Sequence, residues 1–463
     1  MKKDAALSPR ELRRTLNYLI LSYSLGVTFI LAVTGAPLTG FIRLLTKNDL
    51  TFSIIMAIPT LGAVFQIFGS FYIERTGRRW ESFFFACLVQ RAIWIPITLI
   101  PLLYFKVSPT TVLIIITILM VVFAASGHFA DLAFSSYYSS IVPREIAGRY
   151  RSKRAAIVTA VGAVGSILVG KYLGDSPTFF NFAVMFGVVS ILGIIDVCLS
   201  SFAAHHPPML INEEKISFFK LFSLPFKNKN YFQFIIFGTV WAFGVNISAI
   251  FINVYLLENL AVSYLMISIL NAFVVNSCSI LAVRFWGRLA DNFGNKPVLK
   301  VAATFATLIP FLWLLPSSSE NKYLFIIPAF IVSGLAWSGV ELSIINLSMW
   351  LAPEKNRTIY MATYALTSLI LGVALSSIVG GLIMQTSGPI LDSLKIPFIN
   401  NQYFNKFHLL FLISLIIRFL SSQFILKKVK EESSKPVKEM ITYVFDIITF
   451  KRTRKTLRHK RNI

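Results

Sequence analysis

Charge and cysteine are scarce in this chain. Of its 463 residues only 14% are Asp, Glu, Lys or Arg, while 56% are apolar and 14% aromatic. That balance excludes a soluble globular protein and marks an integral membrane protein. The three cysteines, Cys87, Cys198 and Cys278, fall in separate apolar segments without metal-ligand spacing, so they read as packing residues. No phosphate-binding loop, metal cluster or nucleophile–base constellation lies on any loop. An enzyme is therefore disfavoured, and no cofactor or metal is expected. A cleavable signal is missing too: the first apolar run is too long, and Lys2, Lys3, Arg10, Arg13 and Arg14 precede it without a small-residue cleavage site.

What is present is long apolar runs. A hydrocarbon core of about 30 Å needs roughly 20 helical residues, whereas a spanning strand shows only about ten alternating ones. The runs predict twelve transmembrane helices, near 16–42, 51–73, 82–105, 110–141, 155–174, 178–202, 230–257, 262–286, 298–316, 322–350, 358–386 and 406–426. Most of the 44 lysines and arginines lie in loops on the side of both termini, which places the termini in the cytoplasm of a multi-pass cell-membrane protein. The net charge of +23 follows from this topology and from attraction to anionic lipid, not from nucleic acid.

The longest polar interruption on the cytoplasmic side, residues 203–229, divides six helices from six. The expected organisation is an N-terminal bundle (1–202), a cytoplasmic linker (203–229), a C-terminal bundle (230–426) and a basic tail (427–463). Within the tail Val437, Met440, Ile441, Val444, Ile447 and Ile448 recur at helical spacing. Two readings stand, an amphipathic helix on the inner membrane face and a solvated tail.

The halves repeat one another. Residues 70–79 (SFYIERTGRR) and 287–296 (GRLADNFGNK) lie 217 positions apart, placing Glu74 against Asp291 and Gly77 against Gly294. A shift of 210 aligns Pro143 with Pro353, Tyr150 with Tyr360, Gly162 with Gly372 and Gly170 with Gly380. A parallel repeat of two six-helix bundles is a transporter architecture.

The two decapeptides, on loops 2–3 and 8–9, resemble the signature of the major facilitator superfamily, approximately G-x-L-A-D-R-x-G-R-R. GRLADNFGNK is the closer copy; the first has Ser70 for glycine and Glu74 for aspartate but keeps Arg75, Gly77, Arg78 and Arg79. PREIAGRYRSKR from Pro143 and PEKNRTIY from Pro353 are similar to that family's loops after helices 4 and 10. The resemblance implies two pseudo-symmetric six-helix bundles that alternate access to a central site, and the expected cargo is a small organic solute. A monomer is expected.

Candidate gating-loop residues are Glu74, Arg75, Gly77, Arg78, Arg149, Gly287, Asp291, Gly294 and Arg357. The glycine permits a tight turn, the carboxylate can cap a helix N-terminus, and the arginines can pair with acids on a facing loop. By resemblance, Glu74 and Asp291 hold the cytoplasmic side closed in the outward-facing state. A purely topological role is the alternative.

Within the helices, Asp131 and Glu341 lie at repeat-equivalent positions, twelve residues before Pro143 and Pro353 and so about 18 Å in from their loops. A carboxylate in a poorly solvated cavity can exchange protons as access alternates. Glu341 is the favoured proton-coupling candidate; Asp131, with His128 one turn before it, either couples protons or forms a buried pair with Arg91 of helix 3. Asp196, Arg284 and Arg418 read as snorkelling or pairing residues nearer helix ends.

Substrate-cavity candidates are Thr28, Gln66, Asn246, Asn253, Asn271, Asn276 and Trp337, a set that suits a neutral or amphipathic solute. Without a cluster of cations, a multiply charged phosphate ester is disfavoured. The family's glycine–proline signature of drug/proton antiporters is missing from helices 5 and 11, whose glycines instead permit close packing. A membrane sensor or scaffold that keeps the transporter fold is the second reading, supported by the degenerate first motif.

Overall fold

The computed structural model describes residues 8–100, 107–203, 223–316, 320–354, 356–398, 403–432 and 434–449. Most of the linker (204–222) and the end of the tail lie outside them. The described residues are helical, with one isolated bridge, Pro397 to Tyr403.

Nine helices are long and apolar enough to cross a membrane among the described residues: Pro9–Leu45, Pro109–Ile141, Glu145–Leu173, Phe179–Ser200, Lys229–Asn259, Tyr264–Phe293, Tyr323–Trp350, Arg357–Leu394 and Lys406–Lys428. They are helices 1, 4 to 8 and 10 to 12 of the expected order. The other three are broken rods. Helix 2 is Asp49–Leu61 and Phe65–Thr76 joined by a tight turn at Gly62–Val64; helix 3 is Arg79–Ala92 then Trp94–Thr98; helix 9 is Asn295–Ala306 then Leu308–Leu312. Proline explains two of the breaks. Pro96 and Pro310 have no N–H for the carbonyls four residues earlier, those of Ala92 and Ala306, where the preceding pieces stop.

Packing repeats between halves. Helix 1 packs on 5 and 6, and helix 4 on 2 and 3; correspondingly helix 7 packs on 11 and 12, and helix 10 on 8 and 9. Tyr150 donates to the Leu16 carbonyl and Tyr360 to that of Leu224, so each ties the start of its fifth helix to the start of its bundle. Association inside lipid rests on close packing, because lipid tails are as apolar as the helices. Phe29, Trp94, Phe123 and Phe186 supply it in the first bundle with ring centroids 4.7–6.5 Å apart.

The bundles meet chiefly through helix 2 on helix 11 and helix 5 on helix 8, toward the face opposite the termini. At the terminal face, Phe65–Thr76, Asn276–Phe293 and Arg357–Thr367 pack extensively only within their own bundles. The join depends on glycine. A β-carbon at Gly170 would lie 2.7 Å from the Tyr264 carbonyl oxygen, and one at Gly381 2.9 Å from that of Asp49. Gly381→Leu is expected to wedge helices 2 and 11 apart; spin labels across the far face should separate in the variant, and an unchanged distance would contradict this role.

Candidate functional site

At the face opposite the termini an ionic latch crosses the bundles. Arg43, near the end of helix 1, grips Glu258 at the end of helix 7 with two bonds, Nε to Oε1 at 3.1 Å and Nη2 to Oε2 at 2.9 Å. Its Nη1 reaches Asp49 at 2.9 Å, and Asp49 also takes Lys406 Nζ from helix 12 at 2.5 Å. The Asp49 N–H donates to Gln385 of helix 11 at 3.0 Å, and Lys47 adds a contact to Glu258 at 2.6 Å. Asp49 and Arg43 are almost fully buried, so these charge-assisted bonds are shielded from screening. Sequence reasoning missed this network. Arg43 and Glu258 lie 215 positions apart and neither repeat offset matches them, so the numbering carried no signal for the pair.

Beneath the latch lies a cavity of about 500 Å³ lined by both bundles. Thr34 and Gly35 of helix 1 and Thr159 and Ser166 of helix 5 face Asn253 of helix 7 and Asn271 and Asn276 of helix 8. Three of the expected substrate residues, Asn253, Asn271 and Asn276, thus meet in one place. Asn271 sits in a π-helical turn, Leu270–Val275, and spends an amide hydrogen on the Ile267 carbonyl of its own helix at 2.9 Å. Its Oδ1 stays available as an acceptor, and such turns recur at functional sites.

A second cavity, about 250 Å³, belongs to the C-terminal bundle. Trp241, Asn246, Trp337 and Glu341 line it with aliphatic residues of helices 7 and 10. Glu341 makes no hydrogen bond or ion pair among the described residues and is exposed. Under it, Arg418 is 2% exposed, its guanidinium 5.9 Å from the Trp337 ring, donating to the carbonyls of Ala306 at 3.2 Å and Val245 at 3.4 Å. Arg418 is therefore a buried cation, not a snorkelling one.

Of the remaining cavity candidates, Gln66 is held by His128, Nε2 to Nδ1 at 3.1 Å, and Thr28 packs against Gly165 of helix 5. His128 Nε2 contacts the Pro59 carbonyl at 2.8 Å, so both ring nitrogens are taken up by helix 2, and none by Asp131.

The expected Arg91–Asp131 pair does not form. Arg91 pairs with Asp196 of helix 6 at 3.2 Å, and Ser22 of helix 1 donates to the same carboxylate at 2.6 Å. The reason is helical phase. Gln90 is the helix 3 residue that packs on helix 4, at Gly127; Arg91, one residue on, turns about 100° toward helices 1 and 6. Asp131 is left exposed and, like Glu341, has no ion-pair partner among the described residues. Asp196 lies against Gly26 of helix 1, where the missing β-carbon leaves room for the carboxylate. Asp196→Ala leaves Arg91 buried without a counter-charge and is expected to cost about 3–5 kcal/mol, against less than about 1 kcal/mol for Asp131→Asn. Thermal unfolding of the two purified variants checks this order.

On the gating loops, Gly77 and Gly294 adopt φ of 67° and 92°, the left-handed region that glycine alone enters freely. Glu74 lies in the last turns of helix 2, and Arg79 donates to the Ser136 carbonyl of its own bundle at 3.4 Å. Arg75, Arg78 and Arg149 are exposed and, with Gly287, Asp291 and Arg357, take part in no ion pair among the described residues. The structure does not bring the two motifs together. The 8–9 loop is instead joined to the tail: Glu431 accepts from the N–H groups of Asn295 at 3.0 Å and Lys296 at 2.7 Å.

Two repeated six-helix bundles, latched at one face around a cavity that both line, define a polytopic carrier-type fold. The profile of the Major Facilitator Superfamily matches residues 15–377, and the chain belongs to that family. No curated protein matches the chain. Among solved structures it is similar to a variant of the nucleoside transporter NupG (TM-score 0.69, 14% identity, covering 90% of this chain and 100% of that one). It is also similar to a bacterial homologue of the iron transporter ferroportin in its inward-facing state (0.66, 13%, 92% and 100%). A D-xylose–proton symporter gives 0.63 at 15% identity, covering 92% and 98%. At these identities the likeness is one of fold.

Proposed function

We propose that this protein is a secondary transporter that moves a small, neutral or amphipathic organic solute by alternating access, with proton coupling through Glu341. The observation that carries the reading is the cavity shared by helices 1, 5, 7 and 8 directly beneath a latched face. With the lysine- and arginine-rich terminal side in the cytoplasm, the arrangement is inward-facing on this reading: the Arg43–Glu258 and Lys406–Asp49 pairs close the outer side, while the inner parts of helices 2, 8 and 11 make their extensive contacts within their own bundles. Bundles at 1–202 and 230–426, joined by 203–229, are the moving units. Glu74 and Asp291 belong to the loops that would meet when the inner side closes.

The cavity's polar lining is amides and hydroxyls, without a charged side chain. Such groups match hydroxyls and amides of a solute. Nucleosides and D-xylose, the solutes named for two of the similar structures, are of that chemistry. Counterflow in proteoliposomes against a panel of nucleosides, sugars, amino acids and amphipathic drugs tests the assignment. Saturable exchange of one class is expected, with half-saturation raised about five- to tenfold by Asn271→Ala, the loss of one hydrogen bond. Absence of exchange for every class, with signalling intact, would favour the sensor reading.

A further inference from the structure

The tail past helix 12 is built into the second bundle in a way that transport itself does not use. Two residues beyond Lys428, Lys430 exchanges two hydrogen bonds with the Asn230 side chain at the start of helix 7, both 2.8 Å. Glu431 then turns its carboxylate onto the first turn of helix 9. Its oxygens accept from Asn295 and Lys296, at a helix start that has no side-chain cap of its own. The carboxylate satisfies two orphan N–H groups and faces the positive end of the helix dipole. Lys435 N–H donates to the Phe293 carbonyl at 2.9 Å. The tail helix, Val437–Ile448, lays Met440, 1% exposed, against the bundle and sets the Tyr443 ring 5.2 Å from Phe293. The end of the 8–9 motif is thus held by the tail at three points.

One flank of the tail helix is apolar and bare. Ile441 and Phe445, one turn apart, are 54% and 59% exposed, and Lys438 borders them. Residues 451–463 of the sequence add seven lysines and arginines and no acid. The segment leading to the helix is tied to the starts of helices 7 and 9, which puts the flank beside the terminal end of the bundle, where spanning helices leave the hydrocarbon. An apolar strip bordered by Lys438 and followed in the sequence by a basic run is complementary to an anionic lipid surface.

We propose that the tail helix docks its Ile441–Phe445 flank on anionic lipid at the terminal face, and that Glu431 transmits this docking to the 8–9 loop by holding the first turn of helix 9. Its consequence for gating rests on the transporter reading; docking and capping do not, and they are measurable without a solute. The full chain is placed in nanodiscs of phosphatidylcholine with or without phosphatidylglycerol. Phe445→Trp should show fluorescence, above that of the native tryptophans, that brominated phosphatidylglycerol quenches more strongly than brominated phosphatidylcholine. Amide hydrogen exchange at Asn295 and Lys296 should slow about tenfold in the anionic discs. Glu431→Ala should speed that exchange equally in both lipids while leaving the quenching in place, and Ile441→Asp should abolish the lipid dependence. No added quenching, or equal quenching by both lipids, would overturn the docking. Selective quenching with lipid-independent exchange would overturn the coupling to the loop.

Discussion

Asp49→Asn is expected to open the face opposite the termini. The carboxylate holds Arg43 at 2.9 Å and Lys406 at 2.5 Å with its side chain 4% exposed, so its neutralisation leaves two cations facing an amide in a poorly solvated site. Truncating one partner of a buried charge network costs about 3–5 kcal/mol. Part of that cost is relieved once the face opens and water reaches the cations, so the two conformations shift relative to each other by about 2–3 kcal/mol, roughly 30- to 150-fold in population. Glu258→Gln acts in the same direction with a smaller effect, because Glu258 is 30% exposed, and Lys47→Gln should do little, since Lys47 is 71% exposed. Distance distributions from spin-label pairs at the ends of helices 1 and 7 would show the far-open population grow in that order. A distribution unchanged by Asp49→Asn would remove the latch from the account.

Glu341→Gln is expected to abolish concentrative transport while leaving exchange at equal solute concentrations intact. The glutamine fills the same volume and keeps hydrogen-bonding capacity but cannot carry a proton between states. Glu341 is the acidic residue of the cavity formed with Trp241, Asn246 and Trp337, and it has no ion-pair partner among the described residues. Accumulation driven by an imposed pH gradient should fall to the level of empty liposomes. Arg418 sits below Trp337 without a carboxylate partner among the described residues. Asp131→Asn, by contrast, should retain accumulation if Glu341 alone couples. Accumulation that survives in Glu341→Gln would relocate the coupling, with Asp131 the next residue to test.

How far the sequence reached depended on the physical range of each interaction. Length and hydropathy of the runs are local properties, and they gave the rods in order; their ends were less legible, since helix 5 begins at Arg144 rather than 155, helix 8 runs to Phe293 rather than 286 and helix 11 to Leu394 rather than 386, turns that are polar yet stay helical. Pro96 and Pro310 were visible as residues, yet their effect appears only when the carbonyls of Ala92 and Ala306 are seen to end a helical piece. The repeat made Asp131 and Glu341 recognisable as equivalents, and both are exposed and without an ion-pair partner among the described residues. Pairing was not legible from depth alone. Arg91 and Asp131 share a level in the membrane, but a one-residue phase difference sends Arg91 to Asp196. Contacts between bundles, such as Arg43 with Glu258, and between tail and loop, such as Glu431 with Asn295, join residues far apart in the chain.

The most direct test of a proton-coupled carrier is the pH change outside proteoliposomes when the solute found by counterflow is added without an imposed gradient. Solute-dependent proton movement in the native protein, absent in Glu341→Gln, is the predicted result. Solute flux with no accompanying proton movement in the native protein would contradict it.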